Sequence, residues 1–154
     1  MPRISKIEMM VQREQPTLTI RTSVKVEKFP QIITETCEKV RAYLEEIGEL
    51  TAGVSIAIYH NFDPKNMDIE IGFPVARPLV GKGDIKAGFI PEGKVLFCMY
   101  KGPYKAVGPV YKEMDQWIAV NGFNSGSTVY EHYYNDLSFP ESELITKILI
   151  PIRK

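Results

Sequence analysis

The spacing of apolar residues along the chain switches between the two-residue period of strands and the 3.6-residue period of helices, and this pattern predicts each element. In the first half it predicts four strands and one helix. The strands are predicted at residues 4–12, 17–26, 54–62 and 67–75, and the helix at residues 31–47. Pro30 suits the first turn of this helix, and Gly48 is a typical residue to end it.

The second half repeats the order strand, helix, strand, strand that begins with the second strand of the first half. Strands are predicted at residues 94–100, 129–135 and 144–152, and a helix at residues 106–120. The connection between the halves, residues 76–91, is rich in glycine, which predicts a flexible link. A phosphate-binding loop is the alternative for these glycines, but neither a Gly-Lys-Ser/Thr nor a GxGxxG pattern follows, which disfavours that interpretation.

Each half therefore has the order strand, helix, strand, strand, which indicates a tandem duplication of a β-α-β-β module. The predicted fold is α+β in a single domain over residues 1–154, with pseudo-repeats at about 4–76 and 87–154. Two such modules are expected to join around a pseudo-twofold axis into one curved antiparallel sheet. With both helices on one face, the other face would stay open and form a central ligand groove.

The charge balance argues against one class of function. Lys and Arg number 19, as do Asp and Glu, so the formal net charge is zero and no basic stripe for nucleic-acid phosphates is evident. We therefore expect no direct nucleic-acid binding. The first predicted strand also begins at residue 4, which leaves no room for a helix-turn-helix before it, so we expect a stand-alone domain.

Composition also bears on location and on metal chemistry. No apolar run approaches the roughly 20 residues that span a bilayer, and the first residues do not form a signal peptide. We expect a cytoplasmic protein that does not contact membranes. Cys37 and Cys98 lack a CxxC partner or a nearby His cluster, so buried reduced thiols are predicted and no metal or cofactor is expected.

The best candidate for a functional residue is Glu131, which lies in the strand-like run Thr128–Tyr134. Period-2 alternation places it on the same strand face as Val129 and Tyr133. A carboxylate beside aromatic surface loses hydration, so it tends to raise its pKa, bind a cation or act as a base. An ordinary glutamate that faces water at a sheet edge is the other interpretation.

An ordered set of residues in the second half extends this observation. The set comprises Pro91–Lys94, Tyr100–Tyr104, Met114, Trp117, Gly122, Gly126, Glu131, Tyr133, Asn135 and Asp136. It resembles the GyrI-like small-molecule-binding domain, also called the bacterial transcription-activator effector-binding domain, from about Ile4 to the C terminus. The resemblance implies the same tandem β-α-β-β fold. Asp136-Leu137 departs from the Asp-Pro of the family, which Asp63-Pro64 keeps in the first half.

The resemblance also implies a ligand site, with Glu131 at the base of an aromatic central pocket for cationic or polar ligands. The further candidate ligand-binding residues are Tyr133, Trp117, Tyr104, Tyr100, His60 and Phe73. Trp117 is either a core residue or a pocket wall, and Tyr104 either closes the pocket mouth or caps a turn. His60 either faces the groove or is a hydrogen-bonded structural residue.

Three functions are compatible with these observations. The first is a stand-alone multidrug-type protein that binds amphipathic cationic or polyaromatic small molecules, as a sensor or by sequestration and detoxification. The second, implied by some relatives, is a hydrolase of cyclopropane-type genotoxic electrophiles in which Glu131 is the catalytic general base. The third is a protein-interaction module, with a partner such as DNA gyrase or a transcription regulator.

Overall fold

The computed structural model describes residues 3–154. Within that range the strands are β1 (Glu8–Gln12), β2 (Gln15–Val24), β3 (Ser55–Tyr59), β4 (Met67–Pro74), β5 (Ile85–Ile90), β6 (Gly93–Lys101), β7 (Asn124–Ser125), β8 (Val129–Tyr133) and β9 (Ile145–Arg153). The helices of three turns or more are α1 (Phe29–Glu46) and α2 (Gly108–Val120). Met1 and Pro2, which the single-domain prediction includes, lie outside the described residues.

All pairs of neighbouring strands are antiparallel, and eight strands follow the order β1-β6-β9-β8-β3-β4-β2-β5, with the short β7 beside β9. This order is symmetric about the central β8–β3 pair. Moving outward from that pair, β9 corresponds to β4, β6 to β2 and β1 to β5. The prediction of an α+β fold built from two β-α-β-β modules is confirmed.

Both predicted helices form, and each ends where a glycine allows it. Gly48 follows α1 with a φ of 74°, and Gly122 follows α2 with a φ of 73°. This left-handed conformation is costly for residues with a Cβ and is common just after a helix. In the part of the chain that the structure describes, no helix combines the length and apolarity needed to cross a membrane.

The two edge strands differ from the prediction. β5 lies within residues 76–91, where a flexible link was predicted, and it pairs with β2. Only its terminal residues Ile85 and Ile90 are buried, so it lacks the alternation that identifies a strand. β1 was expected to belong to the first half but pairs with β6 of the second half. Edge strands bury little side-chain surface, so their sequences carry a weak pattern.

Two short connections force the sheet to curl. Arg13 and Glu14 alone separate β1 from β2, and Pro91 and Glu92 alone separate β5 from β6. In a flat sheet β1 and β2 would lie about 29 Å apart, which is six strand spacings, whereas three peptide steps cover at most about 11 Å. The ends of the sheet therefore approach each other, and Gln12 Nε2 donates to the Pro91 carbonyl at 3.1 Å.

The curled sheet carries a core on each face. The larger core lies beneath both helices and includes Phe29, Ile33, Val40 and Leu44 of α1 and Val110, Met114 and Ile118 of α2. The smaller core lies on the opposite face and contains Ile56, Ile58, Ile90, Val95, Tyr130 and Leu149. Both helices thus cover one face, as predicted, and the sheet positions β3 and β8 side by side at its centre.

Candidate functional site

A cavity of about 730 Å³ lies where the N-terminal parts of α1 and α2 face the centre of the sheet. Its lining includes Phe29 of α1, Tyr111 of α2, Tyr59 of β3 and Glu131 of β8. This position corrects one expectation, because the groove was predicted on the face that carries no helix. On that face the curl gathers apolar side chains into the smaller core. On the helix face, by contrast, the cavity lies between the N-terminal parts of both helices and the sheet.

Strand pairing places Glu131 at the base of the cavity. On its two sides Glu131 is paired with Ala57 of β3 and Ile148 of β9. Residues directly opposite each other in antiparallel strands project to the same face, so the carboxylate is flanked by a small side chain and an aliphatic one. Only 5% of Glu131 is exposed, which excludes the interpretation of a water-facing edge glutamate.

Two tyrosine hydroxyls donate to this carboxylate, and a third tyrosine bonds to one of them. Tyr111 donates to Glu131 Oε2 at 2.5 Å, and Tyr133 donates to Oε1 at 2.6 Å. The Tyr59 hydroxyl lies 3.0 Å from that of Tyr133. A hydroxyl has one proton to donate, so Tyr59 donates to Tyr133, which in turn donates to Glu131. A carboxylate accepts about four hydrogen bonds, so part of its accepting capacity remains available.

Burial controls the protonation of the site. Loss of hydration raises the pKa of Glu131 above its ordinary value, and the hydrogen bonds from Tyr111 and Tyr133 offset only part of that increase. Burial, followed by the nearby charge of Glu131, raises the pKa of Tyr59, Tyr111 and Tyr133 well above the usual range. The tyrosines therefore stay protonated and act as donors, and Glu131 is the titrating group of the cluster.

Aromatic rings form the walls of the cavity. The ring of Phe62 stacks on Tyr59 with centroids 5.2 Å apart, and its edge meets Tyr111 at 5.4 Å. Phe29 lies 6.0 Å from Tyr59 between ring centroids and meets Tyr104 edge to face at 5.6 Å. Phe62 is 47% exposed, so it lies at the mouth, whereas Tyr59 and Phe29 are buried. A ligand in this cavity would therefore be next to a continuous series of aromatic rings.

Of the residues predicted from the sequence, Glu131, Tyr104 and His60 line this cavity. Tyr133 contributes its hydroxyl to Glu131, and its ring lines an adjoining cavity. The imidazole of His60 is engaged elsewhere, because its Nε2 lies 2.6 Å from Glu70 Oε2. The structure thus brings Glu131, Tyr133 and Tyr104 together, with His60 tied to an acidic partner at the rim.

The other three predicted residues, Trp117, Tyr100 and Phe73, do not line the cavity, and their part in ligand binding stays a prediction. Trp117 stacks on Phe123 with centroids 5.9 Å apart, because its position on α2 turns away from Tyr111. Tyr100 is buried, and its hydroxyl donates to the Pro103 carbonyl at 2.5 Å. Phe73 is buried, and its ring lies beneath the guanidinium of Arg41. All three have packing roles.

Sequence reasoning missed four aromatic residues of the site. These are Phe29, Tyr59, Phe62 and Tyr111. A signal existed for Tyr111, since it lies one helical turn after Val107 on the predicted helix, and both residues line the cavity. For Tyr59, the alternation of β3 gives its face, but only the β3–β8 pairing brings that face beside Glu131.

The Tyr111→Phe variant tests the hydrogen-bonded carboxylate directly. It removes a hydrogen bond to a charged group, a contribution of about 1.5–3 kcal/mol, and we expect the pKa of Glu131 to rise further because burial is then less offset. The titration of the Glu131 side-chain carbon, followed by NMR, measures this change. The control is Tyr43→Phe, which removes a hydroxyl bound to the Val80 carbonyl. An unchanged Glu131 titration in Tyr111→Phe would contradict the assigned bond.

Metal chemistry has no support in this cavity. Over residues 3–154, no group of three or more His, Cys, Asp or Glu side chains is placed to hold an ion. The chemical character of the site is that of one buried carboxylate, phenol donors and ring faces.

Comparison with known proteins agrees with this geometry. The family model of the GyrI-like small molecule binding domain matches residues 6–153. The C-terminal domain of EcmrR superposes with a TM-score of 0.85 at 21% identity, covering 98% of this chain and 99% of that one. In the EcmrR–DNA complex the TM-score is 0.87 at 22% identity, with 98% of this chain covered, and the chain spans 58% of the EcmrR chain.

Two more distant structures share the fold. A hydrolase encoded by lin2189 from Listeria innocua has a TM-score of 0.71 at 14% identity, covering 96% of this chain and 92% of that one. SAV2435 bound to tetraphenylphosphonium has a TM-score of 0.61 at 13% identity, covering 96% and 94%. A search of curated proteins finds no match. At these identities the likeness shows the fold.

Proposed function

The chain belongs to the GyrI-like small molecule binding domain family, and from that premise we propose that it captures lipophilic organic cations in the cavity around Glu131. The observation that carries the proposal is a buried carboxylate held only by uncharged hydroxyls. Among residues 3–154, no Lys, Arg or His side chain forms an ion pair with Glu131. A buried charge without a counterion is unfavourable, so a cationic ligand would relieve it.

The magnitudes favour a cation over a neutral ligand. Two unit charges about 4 Å apart attract by about 1 kcal/mol in water and about 4 kcal/mol at an effective dielectric constant near 20. Each ring face adds about 0.5–2 kcal/mol of cation–π attraction. The cavity volume of about 730 Å³ lies within the usual range for small-molecule sites. SAV2435, which shares the fold, has a structure bound to tetraphenylphosphonium, which makes that cation a suitable first probe.

Calorimetric titration with a matched pair of ligands tests the proposal. Tetraphenylphosphonium carries a positive charge, whereas triphenylphosphine oxide keeps three of the four phenyl groups and has no net charge. We expect the cation to bind and the neutral compound to bind at least about tenfold more weakly, which corresponds to about 1.4 kcal/mol. Equal affinities would show that Glu131 does not select charge, and no binding of either compound would overturn the proposal.

The affinity for the cation is expected to depend on pH. Burial raises the pKa of Glu131 above its ordinary value of 4.5, and only the ionised form attracts a cation. Affinity should therefore fall as the pH drops through the raised pKa, and binding should release a proton. Titrations between pH 4.5 and about 8 measure this. Constant affinity across the range would contradict it.

The stability of the ligand-free protein should change with pH in the opposite sense. The pKa of Glu131 is higher in the folded state than in the unfolded state. The stability that this residue contributes is therefore fully present below its unfolded-state pKa, and it is lost as the pH rises through its folded-state pKa. The Glu131→Gln variant has no titrating group at this position, so its free energy of unfolding does not contain this pH-dependent loss. The wild-type value should therefore fall relative to the variant as the pH increases. Surface groups such as Asp68 and Asp84 have lowered pKa values, which change stability with pH in the opposite direction. Their effect is the same in both proteins and is removed by taking the difference.

A hydrolase is the second candidate, and one observation favours it. A carboxylate whose pKa is raised is a stronger general base, as activation of water requires. One relative of the same fold is a hydrolase. Incubation with a cyclopropane-bearing electrophile, followed by mass spectrometry, distinguishes the two functions. Product formed by wild type and not by Glu131→Gln would assign catalysis, whereas tight binding without product would assign capture.

Two predictions from the sequence remain predictions. A protein partner, such as DNA gyrase or a transcription regulator, is checked by co-purification with the tagged chain. A cytoplasmic location is checked by cell fractionation. Neither affects the ligand experiments, which use the purified chain alone.

A further inference from the structure

A second cavity of about 410 Å³ adjoins the first. It lies between the middle of α1 and the segment that follows β8, and its lining includes Cys37, Glu38 and Arg41 of α1 and Asp136 after the strand. Tyr104 lines both cavities. The first cavity has five Phe and Tyr residues and one buried carboxylate in its lining, whereas the lining of the second includes three exposed charged residues.

Three rings separate the two cavities. Tyr104 lies 5.2 Å from Tyr133 and 5.6 Å from Phe29 between ring centroids, and Phe29 lies 6.3 Å from Tyr133. Tyr133 is fixed by its hydrogen bonds to Glu131 and Tyr59, and Phe29 is buried in α1. Tyr104 is only half-buried and belongs to a single 3-10 turn, Tyr104–Ala106. It is therefore the member of the partition with the fewest restraints.

The charges of the second cavity favour positive groups. Its lining has two carboxylates, Glu38 and Asp136, and one guanidinium, Arg41, which leaves one net negative charge. Over the described residues, neither carboxylate forms an ion pair. Arg41 lies above the ring of Phe73, with Cζ 5.0 Å from the centroid. Asp136 accepts hydrogen bonds from Ser138 and lies within reach of the charge of Arg41. Glu131 in the first cavity and Glu38 in the second form no ion pair within the described residues.

We propose that the two cavities form one bipartite site for an organic dication, with one charged end group beside Glu131 and the other beside Glu38 and Asp136. The linker between the two charged groups of the ligand occupies the place of the Tyr104 ring, which rotates to admit it. Asp136 lies five positions after Glu131, so their Cα atoms are at most about 17 Å apart at the rise of an extended strand. This inference rests on the proposed capture of cations and adds a ligand class to it.

The test compares a dication with its own half. Dequalinium carries two aminoquinaldinium rings joined by a decamethylene chain, and the N-decyl aminoquinaldinium ion is its half. Linking two groups that bind neighbouring sites raises affinity, because the second binding step becomes intramolecular. In calorimetric titrations of the full chain, we expect dequalinium to bind about tenfold more tightly than the half, with one dication per chain.

Charge variants locate the second end group. We expect the double variant Glu38→Gln, Asp136→Asn to reduce the preference for the dication to about twofold, the statistical value for two equal ends. The control double variant, Glu35→Gln, Glu45→Gln, changes the net charge equally at exposed α1 positions outside both linings and should keep the preference. If both pairs reduce it equally, the effect is one of net charge, and the second end group is not at Glu38 and Asp136.

The partition is tested by rates. Stopped-flow mixing should show faster association of dequalinium with Tyr104→Ala, and a wild-type rate with Tyr104→Phe, which keeps the ring. Equal rates in all three proteins would exclude the Tyr104 ring as the partition. If tetraphenylphosphonium binds but dequalinium binds no more than twofold better than its half, the bipartite site fails while cation capture stands. If no cation binds, capture itself fails.

Discussion

Tetraphenylphosphonium is expected to bind the Glu131→Gln variant about a hundredfold more weakly than it binds the wild-type chain. The substitution keeps the shape of the side chain and removes its charge. Attraction between charges about 4 Å apart amounts to about 4 kcal/mol at an effective dielectric constant near 20, and each 1.4 kcal/mol is tenfold in affinity. Because the glutamine can still contact the ligand, we expect a loss somewhat smaller than the full Coulomb value. Calorimetric titration at neutral pH measures it.

The matched control for this prediction is Asp115→Asn. Asp115 also lines the cavity, but it is exposed on α2, where attraction across water is about 1 kcal/mol or less. Its removal changes the net charge of the protein by the same amount. We expect less than a threefold loss of affinity. Equal losses in the two variants would mean that the general charge of the cavity mouth, and not the buried carboxylate, determines binding.

The importance of Glu131 could be predicted because alternation within one strand is a local property. The run from Thr128 to Tyr134 fixes which side chains share a face, and Tyr133 does bind the carboxylate at 2.6 Å. Long helices were predictable for the same reason. The buried positions of α1, including Ile33, Val40 and Leu44, follow the helical period in the sequence.

The side of the sheet that carries the cavity could not be predicted in this way. Which face the helices cover, and how far apart their N-terminal ends lie, depends on contacts between distant segments. Tyr111 reaches Glu131 across 20 positions of sequence and Tyr59 reaches Tyr133 across 74. Such pairs leave no periodic signal in either segment. Trp117 illustrates the converse, because a large aromatic residue on the correct helix lies on the wrong side of that helix for the cavity.

Edge strands show a second limit of the sequence. The four consecutive exposed residues of β5 end in Phe89, a large apolar residue without cover. Their strand conformation comes from the backbone bonds to β2 and from the two-residue connection that returns the chain to β6. Neither cause is a side-chain property, so alternating hydrophobicity does not identify β5 as a strand.

The largest expected loss of stability comes from a glycine in the sheet. We expect Gly72→Ala to lower the free energy of unfolding by about 3 kcal/mol or more, at the upper end of overpacking costs. A Cβ at position 72 would lie 2.0 Å from the Leu18 carbonyl oxygen and 2.8 Å from Thr19 Cα. Both are backbone atoms of β2, so no side chain can move aside and the β2–β4 pairing must shift. Urea unfolding measures the change.

Gly108→Ala is the control, because a Cβ there meets no atom within 4 Å and the residue begins α2. It should be neutral or stabilise by about 0.5 kcal/mol. A loss below about 1 kcal/mol in Gly72→Ala would contradict the close approach of β4 to β2.

Saturating tetraphenylphosphonium should stabilise Gly72→Ala and wild type equally, because a ligand adds RT ln(1 + [L]/Kd) to a folded state whose site is intact. An unequal shift would mean that the centre of the sheet, where β3 lies between Gly72 and Glu131, transmits the strain to the cavity.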